Sequence, residues 1–109
     1  MKLGITLFVI ATISLAGCST TKQNTTLTDV ALPIAKRYNC MACHGVDKKI
    51  VGPSFNAIAA KYRGQDAQQR LFNKVKSGGA GVWGTMPMPP IINIPQDDLK
   101  IVILWITEL

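Results

Sequence analysis

The sequence predicts a small all-α domain. Apolar residues recur at helical spacing in four stretches, no stretch alternates apolar and polar residues as a half-buried strand does, and no internal repeat divides the chain. The 109 residues also fall into three parts of different composition, and only the last, residues 29–109, can form a packed core.

Residues 1–17 read as a lipoprotein signal peptide. LGITLFVIATISLAG at 3–17 follows Lys2, is too short for a comfortable membrane span and ends on small residues. LAGC at 15–18 resembles the bacterial lipobox, so Cys18 is expected to be lipidated and to become the new N-terminus. Each acyl CH₂ contributes about 0.8 kcal/mol on burial, and several chains together anchor a protein stably. Ser19 resembles a sorting residue that slightly favours the outer over the inner membrane. STTKQNTTLT at 19–28 is polar and cannot bury enough surface to order itself, so residues 18–28 form the lipidated cysteine and a tether. Ten such residues span roughly 17 Å as a coil and at most about 35 Å extended, which keeps the domain close to the lipid surface.

The helices follow in order. VALPIAKRYN leads into Cys40, with Pro33 expected in a first turn, where its missing N–H costs nothing. In SFNAIAAKYRG, Ser54 is an N-cap, Phe55, Ile58, Ala59 and Tyr62 share a face, and Gly64 terminates. A third helix is expected over Gln65–Ser77, with Ala67, Leu71 and Val75 four apart and Gly78 ending it. The last, DDLKIVILWITEL, is apolar almost all round and belongs in a core, with Asn93 and Gln96 spaced as a capping box. Without Lys2 the chain keeps eleven basic and six acidic residues, a formal +5. The basic residues lack interleaved aromatics, so nucleic acid is not expected as a partner; a plainly solvated surface and docking to an acidic protein partner both stand as readings of this charge.

Within YNCMACHG at 38–45, Cys40 and Cys43 flank two residues and His44 follows at once. A structural zinc site needs four N or S donors and finds only three once Cys18 is lipidated. A thioredoxin-like dithiol calls for a βαβ setting that the pattern lacks. A covalent c-type haem needs two thiols spaced for its two vinyl groups and a histidine beside them that reaches the iron, and CMACH supplies all three. The export signal agrees, since bacteria complete this attachment outside the cytoplasm. Four helices or so are therefore expected to wrap one covalently attached haem c, whose bulk supplies core that so short a chain lacks. The chain without haem is expected to be largely unfolded.

His44 fills one axial position on the iron, and the sixth ligand decides between electron transfer and substrate binding. The chain has no second histidine. Met1 leaves with the signal and Met41 is trapped between the two cysteines, which leaves Met86 and Met88 in SGGAGVWGTMPMPP. Glycines there let the backbone approach a flat ring, and prolines stiffen the segment that must present a weak thioether.

CMACHG, KKIVGPSF, GVWGTMPMPP and LKIVILWI together resemble the small single-haem bacterial class I cytochromes c, over about Asp29 to Leu109. The resemblance implies that the methionine between prolines, Met88, ligates iron, and that Pro53 offers its carbonyl to His44. It also implies that Trp83 lies near a haem propionate and that Trp105 packs against the first helix. Lys74 stands where an arginine often reaches a propionate, and Ile91 where an asparagine commonly donates to the methionine sulfur; Asn93 is a substitute donor. Ala35 stands where the family often has a bulky aromatic, which leaves Ile34 or Tyr38 to pack the first helix on the last.

A closed His–Met iron passes electrons and binds no small-molecule substrate, so the chain is expected to be an electron carrier and not an enzyme. Its expected partners are redox proteins, such as a membrane oxidase or reductase and a periplasmic dehydrogenase, met on the periplasmic side of a bacterial membrane. Lys48, Lys49, Lys74 and Lys76 are expected to steer that encounter. Two alternatives stand beside this one: a dedicated haem subunit of one membrane oxidoreductase, and a haem enzyme or gas sensor with a labile methionine.

Overall fold

A computed structural model describes residues 24–109, so the signal peptide and Cys18 lie outside the described residues. Four helices follow in order: α1 (Leu27–Arg37), α2 (Phe55–Tyr62), α3 (Gln68–Ser77) and α4 (Gln96–Glu108), with a single 3₁₀ turn at Cys40–Ala42. No strand occurs among the described residues; two isolated bridges pair His44 with Lys49 and Gly79 with Met88. None of these helices is long and apolar enough to cross a membrane.

α4 is the central element and packs on α1, α2 and α3. It buries Leu99, Val102, Ile103, Trp105 and Ile106, while Leu104 and the charged Asp97, Lys100 and Glu108 face outward. α1 meets it through Ala31 and Ala35, both fully buried, with Ile34 beside them. Small residues one turn apart let the two backbones approach, so a bulky aromatic at position 35 is not needed. Tyr38 joins the same contact and donates to the Asp98 carboxylate (3.4 Å). α2 follows its expected pattern: Ser54 Oγ accepts from the Ala57 N–H (3.1 Å), and Phe55, Ile58, Ala59 and Tyr62 are all buried.

Helix boundaries depart from expectation at three places. α1 begins at Leu27, not beyond Thr28, because Thr26 and Asp29 form a reciprocal capping box: Thr26 Oγ1 accepts from the Asp29 N–H and the Asp29 carboxylate accepts from the Thr26 N–H. The helix thus takes up the last residues of the stretch read as tether. Pro33 consequently sits inside α1, where it denies the Asp29 carbonyl its partner; the cap and the buried alanine face outweigh that loss. α3 begins at Gln68, since the turn after Gly64 runs through Gln65 N–H to Tyr62 O and Ala67 N–H to Gln65 O before the helix starts. The Asn93 capping box does not form: Pro95 is the N-cap of α4, and its carbonyl accepts from the Leu99 N–H (3.0 Å). A residue before proline is turned away from helical conformation, so the helix cannot reach back past Ile94 and exposed Asn93 lies too early to cap it.

Candidate haem site

The loop after α1, one face each of α2, α3 and α4, and the glycine-rich loop after α3 enclose a cavity of about 820 Å³, lined mainly by apolar side chains. That volume lies within the roughly 300–1,000 Å³ of pockets that bury a cofactor. Cys40, Cys43 and His44 all stand on its wall. The 3₁₀ turn presents them together: the Cys43 and His44 N–H groups both donate to the Cys40 carbonyl (3.2 and 2.9 Å), so the two thiols and the imidazole are delivered by one tight turn. Burial pushes the Cys40 thiol above its ordinary range.

His44 is held on three sides. Its Nδ1 lies 2.7 Å from the Pro53 carbonyl oxygen. A carbonyl only accepts, so Nδ1 carries the proton and Nε2 keeps its lone pair for a metal. The Phe55 ring stacks on the imidazole at 5.4 Å and 15°, and Trp105 meets Phe55 edge-on at 5.3 Å. Gly52 closes the third side, where a β-carbon would stand 2.5 Å from His44 Cε1. Trp105 in turn donates from Nε1 to Thr28 Oγ1 (3.0 Å), which ties the stack to α1. The packing of Trp105 against the first helix is thus direct. Sequence reasoning saw Phe55 only as a core residue and passed over Gly52; nothing local in either residue points to the imidazole.

The methionine loop comes off α3. Gly78 ends that helix with φ 67°, a conformation that favours glycine, and the Met88 carbonyl lies where its side chain would be. Gly79 and Met88 then exchange two backbone hydrogen bonds of 2.9 Å each, which seat Met88 on the cavity wall. Met88 is half-buried there, whereas Met86 is 65% exposed. Trp83 also lines the cavity, at 42% exposure, and the Lys61 ammonium stands 5.3 Å above its ring. Lys74 lines the cavity; Lys76 does not, and its Nζ donates instead to the Ile92 carbonyl (3.2 Å). Ile91 brings no hydrogen-bond donor, and its own N–H is spent on the Val75 carbonyl (2.9 Å).

A helical domain with an apolar-lined cavity that carries two cysteines and an oriented histidine from one CxxCH turn is built for c-type haem. The family model for cytochrome c matches residues 33–109. Cytochrome c-551 of Allochromatium vinosum is 47% identical over 79 residues, covering 72% of this chain and 84% of that one. Cytochrome c-552 of Nitrosomonas europaea is 48% identical over 77 residues, covering 70% and 75%. The crystal structure of wild-type Nitrosomonas europaea cytochrome c552 superposes with a TM-score of 0.67 at 46% identity, over 71% of this chain and 96% of that one. A class 1 cytochrome, MtoD from Sideroxydans lithotrophicus ES-1, superposes at 0.65 with 36% identity, over 74% and 94%.

The chain belongs to the cytochrome c family, among its small class I members. Its cofactor is haem c, covalently bound at the motif formed by Cys40, Cys43 and His44. The relatives are electron carriers and not enzymes.

Proposed function

We propose that the protein is a lipid-anchored, single-haem electron carrier in which His44 and Met88 are the two axial ligands and the iron has no open site. The paired hydrogen bonds between Gly79 and Met88 carry this reading. They fix the backbone of one methionine on the wall that also holds His44, whereas Met86, on the same wall, has no such fastening and is 65% exposed. When bound, the haem supplies a one-electron iron couple. Met88, a neutral and weak donor, favours the ferrous side of it. The Nδ1–H of His44, held by Pro53, keeps Nε2 aimed and basic. Lys74 and Trp83 offer a cation and an indole N–H on the cavity wall, donors suited to propionate carboxylates.

Anchoring through Cys18 places this domain on the periplasmic side of a bacterial membrane, with the outer membrane slightly favoured. From Cys18 to the Thr26 cap the chain reaches at most about 30 Å, so encounters are confined to redox proteins at or near that membrane. Exposed Lys48 and Lys49 are free to meet an acidic partner. Two measurements test the whole reading. The ferrous protein should not take up carbon monoxide at equilibrium, and the detergent-extracted protein should have an intact mass that starts at Cys18 and includes acyl chains. Ready carbon monoxide uptake by the unmodified protein would sink the closed site and return the gas-sensor alternative; a mass without acyl chains would sink the anchor alone.

A further inference from the structure

The four lysines near the haem motifs do not share one environment. Lys76, in the last turn of α3, reaches the carbonyl oxygens of both Ile92 (3.2 Å) and Ile94 (3.5 Å). A lysine at this point of a helix ordinarily serves the helix's own last carbonyls and dipole. Here the ammonium bridges instead to the stretch between Met88 and α4, which has no regular structure.

That stretch is poor in donors of its own. Pro89, Pro90 and Pro95 have no N–H. The Ile91 N–H is taken by Val75. Ile94 is buried, and a carbonyl there needs a partner. The segment is therefore pinned at its start by the Gly79–Met88 pair, in its middle by Val75 and at its end by Lys76. Two of the three fastenings are backbone; Lys76 is the side chain among them.

We propose that Lys76 is a positioning residue for the Met88 ligand, strapping the segment that follows Met88 to the end of α3 so that the thioether holds its place against competing ligands. This rests on Met88 being the sixth ligand. A thioether binds weakly, so the bond survives only while its release frees little chain. With the strap in place, segment 88–94 has few conformations to gain when the sulfur lets go. Without it, the released state gains freedom and its population rises. An external ligand that needs the released state binds more tightly in proportion to that population, and its affinity therefore measures the strap.

Imidazole titration of the ferric holoprotein tests this. Lys76→Met should bind imidazole at least about tenfold more tightly, the scale of a lost charge-assisted hydrogen bond, while keeping its Met-to-iron charge-transfer band when no imidazole is present. Lys76→Arg, which retains donors of similar reach, should return most of the way to the original affinity. Thr26→Ala removes the α1 capping box away from the cavity, and should lower stability without tightening imidazole. If Thr26→Ala tightens it equally, or if Lys76→Met leaves it unchanged, the strap is overturned. Met88→Ala separates this failure from failure of the ligand assignment: a band that survives Met88→Ala refutes Met88 as the ligand, and the strap with it.

Discussion

Gly79 and Met88 are joined by two reciprocal backbone hydrogen bonds, each 2.9 Å long, which close the glycine-rich loop onto the end of α3. Proline on either side of Met88 restricts the same residue further, whereas Met86 has proline on one side only and is largely exposed. The proposed ligation accordingly predicts that Met88→Ala opens the iron, lets the ferrous form take up carbon monoxide and lowers the reduction potential. Met86→Ala should do little of this. Loss of the charge-transfer band in Met86→Ala with retention in Met88→Ala would reverse the assignment.

Gly52 predicts a second effect on the other side of the site. Its φ is not in the left-handed region, so its backbone accepts alanine, but the added methyl would stand 2.5 Å from His44 Cε1. The ring must then tilt away and loosen its bond to Pro53. Gly52→Ala should destabilise the holoprotein by about 1–3 kcal/mol, the usual cost of overpacking, and shift the reduction potential as the imidazole turns. Unchanged thermal unfolding together with an unchanged potential would show that the ring has room to spare.

What was legible beforehand follows from how local each cause is. The α2 cap and buried face, the glycine stops at 64 and 78, and the CxxCH turn all lie within a few residues of the atoms they control, and each is found where the sequence implies. Asn93 misled because its spacing from Gln96 matches a cap while Pro95 forbids the helix from starting early enough to use it. The Thr26–Asp29 box was visible in principle, as a threonine followed three residues on by an acid, but the polar stretch around it read as tether. The Lys76 bridge, the Gly79–Met88 pair and the Phe55 stack on His44 join residues far apart in sequence. Nothing in a one-dimensional pattern places them.

Asp29 predicts a pH dependence at the start of α1. Its carboxylate accepts from the Thr26 N–H (2.9 Å) and Oγ1 (2.8 Å), which holds its pKa below the ordinary aspartate value. A folded-state pKa lower than the unfolded one contributes stability that is fully present above the unfolded value, about 3.9, and is lost as pH falls through the folded value. The carboxylate is exposed, so the effect should be local: protection factors for amide exchange at Asp29–Ala31, corrected for the intrinsic pH dependence of exchange, should fall below about pH 4 while the α4 core stays protected. An NMR titration that places Asp29 at or above the ordinary aspartate value would remove the basis for this.

The bond from Trp105 Nε1 to Thr28 Oγ1 (3.0 Å) predicts how α1 is fastened to the core. Thr28→Val keeps the side-chain shape and deletes only the acceptor. It should cost about 1 kcal/mol, a fall of roughly 4–8 °C in Tm for a domain of this size, with no change in the charge-transfer band. A shift well under 1 °C would mean that water replaces the hydroxyl without loss.

Steering of the redox partner gives the last prediction. Lys48 and Lys49 are exposed and Lys49 and Lys74 line the haem cavity, while the Lys76 ammonium is engaged with backbone carbonyls. The Lys76 ammonium keeps its charge but is held off the cavity wall, so the attraction to an acidic partner at this rim should come mainly from the first three. Exposed charges act over a Debye length of about 10 Å at 0.1 M salt, so the second-order rate of electron transfer with a membrane-bound redox partner should fall steadily as salt rises. Lys49→Glu should lower that rate at low salt and flatten its salt dependence, because electrostatic complementarity acts mainly on association. Lys76→Met should leave the slope nearly unchanged. A rate indifferent to salt, or a slope that responds to Lys76 as strongly as to Lys49, would show that docking does not use this rim of charge.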